Sequence, residues 1–292
     1  MKLRIVEEVW GINRVTGETT VCTKSNKLYD PTAGFEITLR NGRYITVDNI
    51  DNISITVTIH NSNPAKDKTW KISHGKSVFY FPRSADGGYR YHIAYEDETD
   101  KNRYSIAIDV RKASGQYDIA QSKFFGSPTV PHEWEDRFHD DIIFFAQIRL
   151  ADIAVLDTDN RLVHTGYLYF FLDAEMYPSD SLNMWVEYYP GEPDMVIDDF
   201  NAQSPIPSGL CDDYLMSFRY APADSDKTKL LGICSSGTNK DKNLLLQYDP
   251  SDFSGIPFLE NVSGYARVFF GEDEKDYDLV TYKVERSPSD LD

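Results

Sequence analysis

Three segments recur in the same order about a hundred residues apart, and a unit used twice binds a chain to its architecture more tightly than any single motif. The first series reads "KFFGSP", "IIFFAQIRLAD", "TGYLYFFLDAE"; the second reads "KLLGICS", "NLLLQYDPSD", "SGYARVFFGEDE". Gly126 matches Gly232, Gln147 matches Gln247, and Gly166-Tyr167 matches Gly264-Tyr265, at offsets of 106, 100 and 98 residues. A drift of that size needs only small loop deletions, which surface loops absorb at little cost. The expected copies span about 121–190 and 227–286.

Each copy offers an apolar strand with one embedded glutamine, followed by a second apolar strand entered through Gly-Tyr. Phe144 to Ile148 and Leu244 to Tyr248 lack polar alternation, so both faces of these strands are expected to be buried. An unpaired buried amide costs about 1–3 kcal/mol, so each glutamine needs partners. The structural reading gives it backbone groups of neighbouring strands or turns. The functional reading places Gln147, Gln247, Tyr167 and Tyr265 around a ligand cleft between the copies. Between the copies, "WVEYYP" alternates as a strand and the prolines 205 and 207 mark a loop; within the second copy a helix, kept short by its Gly and Pro, is the expectation for "PSDFSGIPFLENV".

The N-terminal stretch is read as strands separated by turns. In "ISITVTIH" the alternation of Ile53, Ile55, Val57 and Ile59 with Ser54, Thr56, Thr58 and His60 puts one face in a core and leaves His60 on the polar face. Asn41-Gly42 predicts a hairpin turn because both residues tolerate positive φ, and Gly17 predicts another. "KSVFYFP", "YRYHIAYED" and "RYSIAIDVRK" continue the series at sandwich spacing. The polar "RKASGQYD" predicts the domain boundary. The expected fold class is thus mainly β, with α+β as the alternative: a β-sandwich-like domain over 1–114, then an internally duplicated, mixed but mainly β domain over 115–292.

The formal charge of -17, from 47 acidic against 30 basic residues, repels polyanions. Nucleic acid and anionic membrane are therefore poor partners, and a basic protein is the natural one. "MKLRIVEEVWG" carries no apolar run of signal-peptide length, which predicts a cytoplasmic chain that spans no membrane. Cys22, Cys211 and Cys234 are odd in number and in no metal-like spacing, which predicts reduced thiols, with a Cys211–Cys234 bridge as the alternative.

The series "SKFFGSPTVP", "HEWED", "IIFFAQIRLADI", "GYLYFFLD", "WVEYYP", "KLLG", "NLLLQYD" and "GYARVFFGEDEKDYDLV" resembles the YwqG-like family, a bacterial domain of unknown function, over roughly residues 116–286. The resemblance implies a mainly β fold built by duplication, in a soluble intracellular protein with no established catalysis. It also implies a protein-binding role of the immunity or defence kind. The paired glycines usual in the family are reduced here to "FGSP" and "LGIC", and "ENVSG" stands where Trp-Gly-Asp is usual.

Three polar clusters are candidates for chemistry. "PHEWEDRFHDD" holds His132, Glu133, Asp136, His139, Asp140 and Asp141, but no metal-binding spacing, so a solvated loop is expected and no metal or cofactor. Asp198-Asp199 and Asp212-Asp213 could supply a glycosidase-like carboxylate pair, which arises freely in so acidic a chain. No phosphate loop or nucleophile elbow is present, and "SSGTNKDK" is read as an exposed loop. The acidic "GEDEKDYD" gives the candidate partner surface: Glu272, Asp273, Glu274 and Asp276, with Tyr277 and Tyr282 as aromatic anchors. The sequence thus predicts a non-enzymatic protein-binding protein that meets a basic partner through acidic surface. The alternative is a small-molecule binder or enzyme using the cleft between the copies.

Overall fold

The computed structural model describes residues 1–14, 19–82, 87–97, 104–138, 142–173, 184–202, 208–234, 243–253, 264–271, 274, 276–277 and 280–286. It is mainly β, in antiparallel sheets, and divides into two compact units, Met1–Arg103 and Tyr104–Asp292. Gly17, Pro205, Pro207, the loop "SSGTNKDK" and most of "PSDFSGIPFLENV" lie outside the described residues. Pro250–Asp252, at the start of the last segment, forms a single 3₁₀ turn.

In the first unit, β1 (Lys2–Ile12), β2 (Thr19–Tyr29), β7 (Lys76–Tyr80) and β8 (Gly87–Glu96) form one sheet in the order β2-β1-β8-β7. A second sheet runs β3 (Glu36–Thr38), β4 (Tyr44–Ile50), β5 (Ser54–His60), β6 (Lys68–Ser73) in sequence order. Leu3, Ile5, Tyr91 and Ile93 of the first share one core with Ile45, Val47, Ile55, Val57 and Ile59 of the second, which makes the unit a β-sandwich. Each such aliphatic side chain, fully buried, contributes about 1.5–3 kcal/mol. Asn41 and Gly42, at φ 72° and 75°, turn the β3–β4 hairpin as their tolerance of positive φ predicts. Ile53 departs from its expected place: the Asp51 carboxylate accepts the Ile53 and Ser54 N–H groups, so Ile53 sits in a turn ahead of β5 and stands 71% exposed.

In the second unit, ten strands make one sheet. They are β9 (Tyr104–Lys112), β10 (Lys123–Phe124), β12 (Ile142–Arg149), β13 (Tyr167–Asp173), β14 (Met184–Tyr189), β16 (Tyr214–Pro222), β17 (Lys229–Leu230), β18 (Leu244–Tyr248), β19 (Gly264–Phe269) and β20 (Thr281–Arg286). Their order is β14-β13-β12-β10-β16-β9-β17-β18-β19-β20. β11 (Thr129–Val130) and β15 (Met195–Val196) pair separately. The boundary expected near residue 114 lies earlier. β9 belongs to the second unit because its ladder partners, β16 and β17, lie more than a hundred residues further on.

The sheet reads alike from both ends. The first-half strands β10, β12, β13 and β14 match β17, β18, β19 and β20, and the long strands β9 and β16 pair with each other at the centre. Each long strand crosses to the other half, since β10 pairs with β16 and β17 pairs with β9. The match extends to single hydrogen bonds. The Met216 N–H donates to the Ser122 carbonyl and the Ile108 N–H to that of Thr228, both at 108 residues' remove in the long strand and 106 in the short one. Both glutamine strands carry a bulge two residues before the glutamine, at Phe145 and Leu245.

The sheet also curls. Phe124 and Phe145 place their ring centroids 5.6 and 5.0 Å from that of Tyr248, although β10 and β12 lie four and five places from β18. Flat strands at about 4.8 Å spacing would hold them about 20 Å apart, so these rings mark the concave face. The edge strands β14 and β20 approach each other, giving a near-barrel.

Gly232 has φ 83°, and a Cβ there would lie 2.5 Å from the Ala223 carbonyl oxygen, whereas Gly115, at φ 69°, has open space around it. Gly232→Ala should therefore destabilise this unit by about 2–4 kcal/mol, against about 1 kcal/mol for Gly115→Ala. Urea midpoints of the two variants check this.

Candidate functional site

The polar groups that most need explaining are those buried on the convex face of the ten-stranded sheet. Period-two alternation turns Lys123, Gln147 and Tyr169 outward in one register row, and Lys229, Gln247 and Arg267 in the matching row. All six are buried. Gln147 Oε1 accepts the Thr129 N–H (2.9 Å), and its Nε2 donates to the carbonyls of Gln121 (3.0 Å) and Ile119 (3.2 Å). Gln247 repeats the second half of this pattern, donating to the Lys227 (3.0 Å) and Ser225 (3.5 Å) carbonyls, but its Oε1 accepts from Arg267 Nε at 3.0 Å.

The lysines close the loops after the two short strands. Lys123 Nζ donates to the Ser127 carbonyl, and Lys229 Nζ donates to those of Ile233 (2.7 Å), Ala223 (2.9 Å) and Ser225 (2.6 Å). These contacts hold the left-handed steps at Phe125-Gly126 (φ 56° and 72°) and Leu231-Gly232 (φ 59° and 83°). A bulky residue at φ near 60° persists only where its surroundings over-determine it, and the ammonium with its carbonyls does so here.

The halves differ in charge. Asp213 Oδ1 lies 2.9 Å from Lys123 Nζ, and the matching position in the other half is Ser105, whose hydroxyl donates to the Pro222 carbonyl. Among the described residues no carboxylate pairs with Lys229. Burial pulls both ammonium groups below the usual lysine range, that of Lys229 to about 8.

The four residues expected around one cleft are therefore not brought together. Gln147 and Gln247 point out of the convex face on strands five places apart, and their amides are engaged internally. Tyr167 is buried in the core of the first half, its hydroxyl donating to Glu192 Oε2 at 3.0 Å. Tyr265 is half-buried beneath the Arg267 guanidinium.

The acidic end is also turned inward where it is described. Glu274 takes two bonds from Arg161, at 3.0 and 3.2 Å, and Tyr277 is buried. They are thus part of the fold rather than anchors for a partner; Asp276 is half-buried, while Glu272 and Asp273 lie outside the described residues. Arg161 belongs to a loop arranged around Asp157, a fully buried carboxylate that the sequence reading missed. It accepts from the Tyr104 hydroxyl (2.9 Å), the Leu162 N–H (2.8 Å) and the Arg161 N–H (3.2 Å), and pairs with His164 Nε2 (3.1 Å). The string "DTDNRLVH" looks like any polar turn, and the contact that the string does not contain is the bond from Tyr104 of β9, 53 residues earlier.

His132 is exposed, its N–H bonded to Asp194 and its ring 3.8 Å from Glu135; His139, Asp140 and Asp141 lie outside the described residues. No metal-binding group of His, Cys, Asp or Glu occurs among the described residues. The carboxylate pair of Asp198-Asp199 with Asp212-Asp213 is not formed as an acid/base device, because Asp213 is held by Lys123 and Tyr117 and Asp212 by Lys112. None of the three cysteines forms a disulfide, so the Cys211–Cys234 bridge is absent.

The sandwich carries one arrangement with a catalytic outline. Asp67 Oδ2 meets His60 Nδ1 at 2.8 Å, and His60 Nε2 meets the Thr46 hydroxyl at 3.0 Å. The Asn61 N–H, first among several hydrogen bonds, holds the Asp67 carboxyl below the usual range. Two observations argue against a nucleophile. The Thr46 hydroxyl is also within 2.8 Å of the Asp48 carboxylate, which competes for its proton. Thr46 lies mid-strand between β3 and β5, where the ladder occupies the backbone donors that an oxyanion would need. The network instead ties together the polar face on which the alternation placed His60.

No protein-family model matches the chain, and no curated protein matches it. No helix among the described residues is long and apolar enough to cross a membrane.

Removing one member of the buried Lys123–Asp213 pair strands the other, which costs about 3–5 kcal/mol, whereas an apolar pair of like volume is near neutral. Lys123→Met and Asp213→Leu should each be strongly destabilising, and the double variant should cost less than their sum but remain destabilised, because it strands no charge yet leaves the Ser127 carbonyl without its ammonium donor, as a double-mutant cycle in urea would read. The Tyr117 and Tyr167 phenols are pushed up to about 12, by burial and then by Asp213 and Glu192. The unfolded chain loses these protons first, near pH 10, so their contribution is complete below pH 10 and fades between 10 and 12. Urea midpoints should fall over that window, and less steeply in Tyr117→Phe/Tyr167→Phe.

Proposed function

We propose that this chain is a non-catalytic binding protein for a basic protein partner, and that the partner meets the second unit over the 3₁₀ turn His132–Arg137 and the segment 187–199. The observation that carries this reading is charge set around half-buried aromatic surface. Eight carboxylates within 132–137 and 187–199 stand against Arg137 as the one basic residue besides His132. The β11–β15 pairing brings the two segments together, and the bond from the His132 N–H to Asp194 (2.8 Å) pins them. Trp185, Tyr189, Met195 and Ile197 are half-buried there against a core that includes Trp134 and Tyr169. Glu133 and Asp194 are near enough to Tyr189 to help burial raise its phenol pKa.

Aromatic and methionine side chains backed by a packed core supply contact area at little entropic cost, and the acidic rim steers a basic partner and rejects acidic ones. The internal use of the glutamines, lysines, Asp157 and Glu274 supports a rigid platform rather than a catalytic cleft.

The test is capture of host proteins on immobilised protein at low and high salt, comparing wild type with a Glu133→Gln/Asp136→Asn/Asp194→Asn variant and an Asp30→Asn/Glu36→Gln control in the sandwich. Loss of a salt-sensitive basic partner in the first variant alone is expected. Equal capture by all three proteins would overturn the assignment.

A further inference from the structure

Among the described residues the concave face of the ten-stranded sheet is mostly apolar, and the Tyr104 phenol that enters it is satisfied by the buried Asp157 at 2.9 Å. In the first half, Ile148 and Leu168 face each other across β12 and β13, and Ala146, Phe170 and Val186 form the next row on the same face. In the second half, Tyr248 replaces Ile148, Ala266 replaces Leu168, and Tyr282 replaces Val186. The ladder fixes their direction: Leu246, Val268 and Tyr282 form one register row, and Leu246 lies on the same side of its strand as Tyr248. Two phenols therefore enter the interior beside a residue smaller than its counterpart.

The Tyr248 ring is packed, lying 4.5 Å from Phe253, 5.0 Å from Phe145 and 5.6 Å from Phe124. Both phenol oxygens are buried, and neither has a hydrogen-bond partner among the described residues. Burial raises both phenol pKa values, and the nearby Tyr282 adds to the rise at Tyr248. An orphaned buried hydroxyl costs about 1–3 kcal/mol, and two neighbouring ones are rarely retained without something to bond.

We propose that the Tyr248 and Tyr282 hydroxyls together hold one neutral oxygen inside the sheet, supplied by a buried water or by the hydroxyl or carbonyl head of a small apolar molecule. A phenol both donates and accepts, so the pair suits an oxygen that does the same. A charged head is disfavoured because the buried cations of this half, Lys229 and Arg267, belong to the register row on the opposite face of the sheet.

The experiment is thermal denaturation of Tyr248→Phe, Tyr282→Phe and the double variant. If an oxygen is bound, each single change loses a hydrogen bond and lowers Tm by about 2–4 °C, with the double variant falling by less than the sum. If the hydroxyls are orphaned, each deletion removes a penalty and Tm rises, which overturns the proposal. Wild-type Tm with added 1-octanol separates the sources: a rise absent from the double variant indicates an organic head, and no rise indicates water. Should a variant fail to fold, a high-resolution crystal structure of the wild type decides. Density within about 3.2 Å of both hydroxyls supports the proposal, and an empty site contradicts it.

Discussion

The second unit depends on a buried ammonium that holds a bulky residue in a left-handed turn. Phe125 and Leu231 sit at φ 56° and 59°, each followed by a glycine at positive φ, immediately after a two-residue strand. Such strands have too few ladder bonds to fix themselves, so their register rests on the loop after each of them. Lys123 and Lys229 close that loop by donating to its carbonyls, and the glutamine beside each fixes the segment before it. The central β9–β16 pair is flanked by β10 and β17, so the whole ten-stranded sheet passes through these two clamps.

Asymmetry between the clamps gives the halves different characters. In the first, Asp213 neutralises Lys123, and Tyr169 stands beside the glutamine and bonds the Thr129 carbonyl. In the second, serine takes the place of the aspartate and Arg267 that of the tyrosine. We propose that both halves descend from one unit, because the same bonds recur at steady offsets while the charges have diverged.

Much of this was legible in the sequence, for identifiable reasons. Short-range rules served well: Asn41-Gly42 gave its hairpin, and the alternation of Ile55, Val57 and Ile59 named the sandwich core and put His60 outside. The embedded glutamines read as internally bonded because a buried strand leaves them no solvent. What failed was long-range. The domain boundary was misplaced because nothing in "YSIAIDVRK" says that its partners lie beyond residue 213. The cleft around Gln147 and Gln247 was misplaced because the curl of the sheet, which decides inside from outside, has no local signature. Tyr277 and Glu274 read as surface in an acidic run, whereas Arg161, 113 residues earlier, turns Glu274 inward. Asp157 went unseen because Tyr104, 53 residues away, completes its surroundings, whereas the Asp67–His60–Thr46 chain lies within one hairpin and the loop after it and was missed because side-chain pairing across a turn leaves no mark in the alternation.

The most direct test of the clamp is native-state amide hydrogen exchange in Gln147→Leu, which keeps the volume and removes the amide. The Thr129, Phe125 and Gly126 amides, bonded to Gln147, Phe145 and Leu210, should exchange markedly faster, while Leu231 and Ile233 in the other half keep their protection. Unchanged exchange around Phe125, or an equal rise in both halves, would contradict the account.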